Sequence, residues 1–203
     1  MPERGAYERW GKRGLDILGA GLGLLLLSPL LVGTALAVRQ ALGRPVLFRQ
    51  ERAGRDGVPF TLLKFRSMRD GPGDDAARLT PFGRHLRASA LDELPQLLNV
   101  LRGEMSLVGP RPLPAAYTPR YTVRQRLRLR VRPGLAGVAQ AAGRNALPWD
   151  ERLELDARYA TRVTLGADLG AMLGTLGILL RGKGVHAPGH ATMPRFDAAS
   201  PSE

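Results

Sequence analysis

Residues 17–38 read "ILGAGLGLLLLSPLLVGTALAV", twenty-two positions without a charge. About 20 apolar residues are what a helix needs to cross the hydrocarbon core of a bilayer, so by length alone this stretch spans. Its composition argues for another path. Four glycines and a central Ser28-Pro29 pair interrupt it, and basic residues flank both ends, Lys12 and Arg13 before it and Arg39 and Arg44 after. Positive charge prefers the cytoplasmic side, so a basic bias at both ends places both on that side. Proline removes a backbone donor and clashes with the preceding turn, while a serine hydroxyl can satisfy a carbonyl that the break exposes. The combination suits a helix that enters the membrane, bends and returns. An ordinary kink in a spanning helix fits the same residues, and the local sequence leaves both open. The length of the apolar stretch, and the lack of a small-x-small cleavage site ahead of a polar domain, argue against a cleaved signal peptide.

Outside this stretch the chain of 203 residues has room for one ordinary domain with a real core. Lysine and arginine total 30 against 18 acidic residues, a formal charge of +12. Such a surface attracts phosphate in some form, whether of nucleic acid, anionic lipid or nucleotide. The absence of cysteine excludes disulfides, thiolate metal sites and thiol catalysis.

After the apolar stretch, Val46 to Gln50 and Pro59 to Met68 read as strands joined by "AGRDG", whose Asp56-Gly57 can take the positive φ values a hairpin needs. "RDGPGDDAARLT" is a surface loop. From Pro81 to Leu101 the pattern is helical, interrupted at Pro95, and leaves through Gly103 into a proline-rich extended turn. Arginines at 120, 124, 126, 128, 130 and 132 alternate with apolar residues. They are compatible with a half-buried strand or a basic helix, and with a solvated face or contact with anionic headgroups. Trp149 to Thr164 reads as a helix of mixed charge. "LGADLGAMLGTLGILL" is too glycine-rich and short for a second span and suits an interfacial or packed helix.

Asp92 and Glu93 stand side by side in this basic chain. A capping box from Ser89 to Asp92, or acids placed just outside a helix opened by Pro95, would be structural explanations. The functional one is a carboxylate that attacks an electrophile while its neighbour handles a proton or a divalent cation, in a site lined by arginine. The surrounding residues favour the second. Lys64 and Arg66 lie two apart on one strand face, Arg84 and Arg87 lie one turn apart ahead of the acids, Arg111 sits in a rigid Pro110-Arg111-Pro112, and Arg144-Asn145 lie in a glycine-bearing loop. Together they offer the donors that a phosphate or diphosphate needs.

These residues carry a resemblance. "KRGLD", Ser28-Pro29, "LLKFRSM", "FGRHLRASALDELPQLLNVLRGEMSLVGPRPL" and "VRPGLAGVAQAAGRNALPWDERLELDARY" make the chain similar, from about residue 11 to 181, to the bacterial sugar transferases, the monotopic phosphoglycosyl transferases. The resemblance implies transfer of a sugar-1-phosphate from a UDP-sugar to undecaprenyl phosphate, releasing UMP and initiating a bacterial glycan. It implies that Asp92 is the nucleophile and Glu93 its partner, that Mg²⁺ is required and is held at Asp92 and Glu93, and that Lys64, Arg66, Arg87, Arg144 and Asn145 contact phosphate. Pro110, Arg111 and Pro112 match the segment associated with the nucleotide, and Ser28-Pro29 matches the break of a re-entrant helix. Ala90 and Arg158 depart from the pattern, standing where a small hydroxyl residue and an aromatic residue are frequent.

The expected fold is α+β and mostly helical: a basic flank over 1–14, a re-entrant membrane helix over 15–39, a cytoplasmic catalytic domain over 40–182 with a β-hairpin and interfacial amphipathic helices, and a disordered tail over 183–203. The length predicts a catalytic core without further N-terminal spans. The expected location is the cytoplasmic face of the inner membrane, with membrane lipids as partners; a homo-oligomer is neither required nor excluded. A membrane-anchored basic binding module would leave the acids idle, and the basic runs hold few aromatics for stacking bases, which argues against nucleic acid. An inactive scaffold is the other competing reading, against which the intact acidic pair stands.

Overall fold

The computed structural model describes residues 5–72, 74–143, 147–180 and Phe196. Two helices, α1 (Lys12–Leu26) and α2 (Ser28–Leu42), occupy the apolar stretch and meet at a bend of 63°. No single described helix is long and apolar enough to cross a membrane. The Ser28 hydroxyl donates to Leu25 O at 2.8 Å, and Pro29 opens α2 where its missing N–H is no loss. Two of the glycines serve packing rather than the bend. A Cβ at Gly19 would lie 2.6 Å from Leu107, and one at Gly23 would lie 3.3 Å from Leu97. With the fully buried Ala20 they give α1 a small-residue face on the domain, while Leu18, Leu22, Leu25 and Leu26 stay exposed opposite.

The hairpin runs from β1 (Leu47–Ala53) to β2 (Pro59–Phe65), antiparallel, with Phe48 opposite Lys64. Asp56 and Gly57 take φ of 56° and 79°, as the turn chemistry predicts. The second strand ends at Phe65, three residues short of the expected Met68, so alternation does not fix the direction of Arg66. A short α3 (Asp75–Arg78) precedes α4 (Pro81–Ala88), capped by the Thr80 side chain. The next segment is interrupted at Pro95, where α5 opens, and also earlier at Ala90, left-handed at φ 55°. After it come a 3₁₀ turn over Leu91–Glu93 and then α5 (Gln96–Arg102), with Pro95 as its N-terminal flank and Gly103 (φ 84°) as its C-terminal stop. Ser89 donates back to His85 O and Leu86 O, so it does not form the capping box.

Strand β3 (Ser106–Val108) pairs in parallel with β4 (Gly134–Ala136). Gly109 and Gly134 cross so closely that a Cβ on Gly134 would lie 2.0 Å from Gly109 N. The arginine run between them is helical, not a strand: a 3₁₀ segment over Ala115–Arg120, then α6 (Val123–Arg126) with a Thr122/Gln125 capping box, then a 3₁₀ turn over Leu127–Arg130. Nor is it all solvated, because Arg128 is buried. Helices α7 (Val138–Ala142), α8 (Trp149–Thr161) and α9 (Leu165–Leu180) complete the chain. One core cluster joins α1, β2 and α5 through Ala20, Leu62, Leu97, Val100 and Met105, and another joins α2, β2 and α4 through Val38, Phe65 and Leu86. Within the tail, Phe196 packs against Tyr117, Tyr121 and Trp149. The rest of 183–203 lies outside the described residues.

Candidate active site

The left-handed Ala90 turns the chain sharply after α4, and the 3₁₀ turn that follows carries both acids ahead of α5. Carboxylates there sit at the positive end of a helix. Their surroundings nonetheless differ. Glu93 Oε1 accepts from Lys64 Nζ at 2.8 Å and from Arg111 Nη2 at 2.7 Å. Burial alone would raise its pKa, but the Arg111 and Lys64 charges outweigh that and hold its carboxyl well below the usual carboxylate range. Asp92 is buried and takes no hydrogen bond from any described residue. Burial lifts its carboxyl above the usual range, Lys64 pulls the other way, and the Glu93 charge adds to the rise. The neighbours are thereby set apart: Glu93 stays ionised and fixed by two cations, while the Asp92 carboxylate is bonded by no described residue.

Cations close on the pair from three directions. The hairpin brings Lys64, which burial pushes down and the Glu93 charge pulls up. The segment after β3 brings Arg111, held up mainly by Glu93. Helix α4 brings Arg87, whose Nε donates to Ser67 Oγ at 2.8 Å and whose pKa burial lowers against the charge of Asp92. Gly83, one turn before Arg87, permits that approach, since a Cβ there would lie 1.8 Å from Ser67 O. Two further guanidiniums, Arg52 and Arg152, are each pushed down to about 10, first by burial and then by Arg111. Guanidiniums destabilised by burial and by one another are groups that a polyanion entering the site would stabilise.

The structure thus gathers Asp92, Glu93, Lys64, Arg87 and Arg111 into one site. The prolines flanking Arg111 serve through their carbonyls: Pro110 O accepts from Gly134 N at 2.9 Å and Pro112 O from Arg52 Nη1 at 3.3 Å. Arg66 goes elsewhere, donating to Leu42 O at the end of α2 and to the Asp70 carboxylate. Ser28 and Pro29 stand at the bend of the apolar helices. Arg144 and Asn145 lie outside the described residues.

Several supporting residues were not singled out from the sequence. Arg128 Nη2 donates to Asp156 Oδ2 at 2.8 Å and to Arg111 O at 2.6 Å, in a pair that is almost wholly buried. Asn99, with no exposed surface, accepts from Leu63 N at 3.1 Å and donates to Thr61 O at 2.8 Å. Its amide takes the place of a third strand beside β2, one residue from Lys64. A polar residue inside the apolar "LPQLLNVL" was the available signal for it. Asp16 accepts from Ser106 Oγ at 2.9 Å and Leu107 N at 2.8 Å, tying α1 to β3 just before Arg111.

The family model for bacterial sugar transferases matches residues 7–182, nearly the whole chain, with this site inside it. The chain belongs to the bacterial sugar transferase family. A sugar transferase of Bacillus subtilis strain 168 is 44% identical to it over 191 residues, covering 91% of this chain and 95% of the relative. The UDP-glucose:undecaprenyl-phosphate glucose-1-phosphate transferase of Caulobacter vibrioides is 44% identical over 187 residues, 83% of this chain and 69% of that one. An undecaprenyl-phosphate galactose phosphotransferase of Salmonella typhimurium is 34% identical over 202 residues, which cover 88% of this chain and 42% of the relative. In this sugar transferase a buried acidic pair is framed by Lys64, Arg87 and Arg111.

Proposed function

We propose that this sugar transferase moves a hexose-1-phosphate from a UDP-sugar to undecaprenyl phosphate by way of a phosphosugar carried on Asp92, releasing UMP and starting a polysaccharide. The observation that carries the reading is the contrast between the two acids: Glu93 is bound by Lys64 and Arg111, and the Asp92 carboxylate takes no hydrogen bond from a described residue. In the first half, an Asp92 oxygen attacks the phosphorus that bears the sugar. The Oδ–P bond forms, the bond from that phosphorus to the bridging diphosphate oxygen breaks, and UMP leaves with the electron pair. Lys64, Arg87 and Arg111 hold the phosphates and the leaving charge. In the second half, an oxygen of the lipid phosphate attacks the same phosphorus, the Oδ–P bond breaks, and the carboxylate returns. Glu93 keeps Lys64 and Arg111 in place through both halves.

Among the described residues no three candidate ligands cluster into a protein-only metal cage. Mg²⁺ suits a different arrangement, one or two carboxylates plus substrate phosphates. The free carboxylate of Asp92 fits that arrangement, whereas the Glu93 oxygens face cations. Bound there, Mg²⁺ would screen the diphosphate charge against the approaching carboxylate.

The bent pair α1–α2 supports a re-entrant anchor with the site at the cytoplasmic face of the inner membrane. Its outward leucines and those of α9, Leu165, Leu169, Leu173 and Leu176, form apolar faces for lipid. The test is UMP release by detergent-solubilised protein given undecaprenyl phosphate, Mg²⁺ and a panel of UDP-sugars, with UDP-glucose and UDP-galactose first. Lipid-dependent release with one donor is the expected result. Correctly folded protein that releases UMP with none of them contradicts it and favours a scaffold.

A further inference from the structure

An open groove of about 580 Å³ lies where α2 leaves for the hairpin. Its floor is apolar, built from Pro45, Val46, Leu47 and Phe48, and its polar lining is Arg49 with the Arg66–Asp70 pair. We propose that this groove receives the phosphate end and first isoprene units of the polyprenyl acceptor; the inference rests on the transferase reading above and adds a place for its second substrate.

Four observations converge on that occupant. The groove starts at the end of the helix pair that carries the exposed leucines, so a lipid held in a bilayer reaches it without leaving its solvent. Phe48 is 42% exposed, an aromatic ring left uncovered on a strand beside that exit. Phe48 is the cross-strand partner of Lys64, and paired residues share a sheet face. Lys64 in turn bonds Glu93, so the Phe48 wall of the groove lies one cross-strand pair from the cation that frames the acids. Finally, Arg66 is almost wholly buried and its Nε has no hydrogen-bond partner, a donor lining the groove with nothing to serve. Two arginines against one carboxylate leave the groove positive.

The chemistry distinguishes the two substrates. A nucleotide needs hydrogen bonds to base and ribose, which this floor of proline, aliphatic and phenyl side chains does not offer. A prenyl phosphate needs an apolar trough with cations at one end. The volume lies within the 300–1,000 Å³ of ordinary ligand sites, enough for the head of the acceptor and not its full tail, which stays in the membrane. A position next to Lys64 also suits the sequence of events, because the acceptor must reach the same phosphorus that the donor delivered. Arg66, by bonding Leu42 O, ties the end of the membrane helix to the groove wall.

The experiment is a steady-state comparison of Phe48→Glu, Phe48→Leu and Arg49→Glu with the wild type, in full-length protein reconstituted with undecaprenyl phosphate. Donor and acceptor KM are measured separately. Both side chains are exposed, so the fold tolerates the changes. The expected result is an acceptor KM raised tenfold or more in Phe48→Glu and Arg49→Glu, a smaller rise in Phe48→Leu, which keeps the floor apolar, and a donor KM within twofold of wild type in all three. An acceptor KM that stays within twofold in both charged variants overturns the proposal, as does a parallel rise in donor KM. A wild type that transfers no sugar phosphate at all overturns the transferase reading itself, which is a different failure and takes the groove's role with it.

Discussion

The two ends of the short helix α5 use their polar groups in opposite ways. At its C-terminal end the orphan carbonyls are bound: Arg13 donates to Val100 O at 2.7 Å and Leu101 O at 3.0 Å, and Arg132 Nε donates to Gly103 O at 2.8 Å. At its N-terminal end Glu93 is bound but Asp92, buried beside it, is bonded by no described residue. Buried polar groups are ordinarily satisfied. One end is therefore spent on joining α1 to the domain, and the other withholds a carboxylate from structure. The molecule keeps one buried acid available for chemistry by bonding the groups that frame it.

That contrast breaks most visibly at Asp92. Asp92→Asn should lower transfer by a factor on the order of 10⁴ or more, about 5 kcal/mol in barrier height. Its melting temperature should not fall, because no hydrogen bond from a described residue is lost and a carboxylate that burial disfavours is removed. A variant that melts far lower would mean that Asp92 is structural after all. Arg128→Leu comes next: it strands the buried Asp156 charge and frees Arg111 O, at a cost of about 3–5 kcal/mol in urea unfolding. Adding Asp156→Leu should recover much of that stability without restoring full activity, since the Arg111 segment has still lost its tether.

How much of this was legible in the sequence depends on how far each interaction reaches along the chain. The hairpin turn at Asp56-Gly57, the stop at Gly103 and the Ser28-Pro29 bend are decided by the residues themselves, and the sequence reads them correctly. The acidic pair was equally plain. What tertiary structure alone decides was not. The break after α4 falls at Ala90, a residue without any turn signal, because the acids must be delivered to Lys64 and Arg111 from elsewhere. The alternating arginine run fits a strand or a basic helix equally until Asp156, 28 residues beyond Arg128, is placed beside it. Arg66 shares its spacing with Lys64, yet the strand ends between them and it turns to the end of α2.

At the structural end of α5 the effects are smaller and should leave chemistry intact. Arg13→Ala exposes two helix carbonyls and should cost about 1–3 kcal/mol of stability, seen as a lower urea midpoint, while kcat per folded molecule is unchanged. A loss of kcat with normal stability would dissolve the distinction between the two ends. Smallest of all, Ser28→Ala removes one hydrogen bond to Leu25 O and should cost about 0.5–1.5 kcal/mol by thermal unfolding, with the bend itself kept by Pro29.

The most direct measurement of the central claim is intact-protein mass spectrometry on the enzyme quenched after mixing with its UDP-sugar and Mg²⁺ in the absence of lipid acceptor. A single added sugar phosphate, mapped by digestion to Asp92 and discharged by undecaprenyl phosphate, is the predicted result. Sugar transfer that proceeds with lipid present, but with no adduct at Asp92 when lipid is withheld, would contradict it and point to direct attack by the acceptor on the donor.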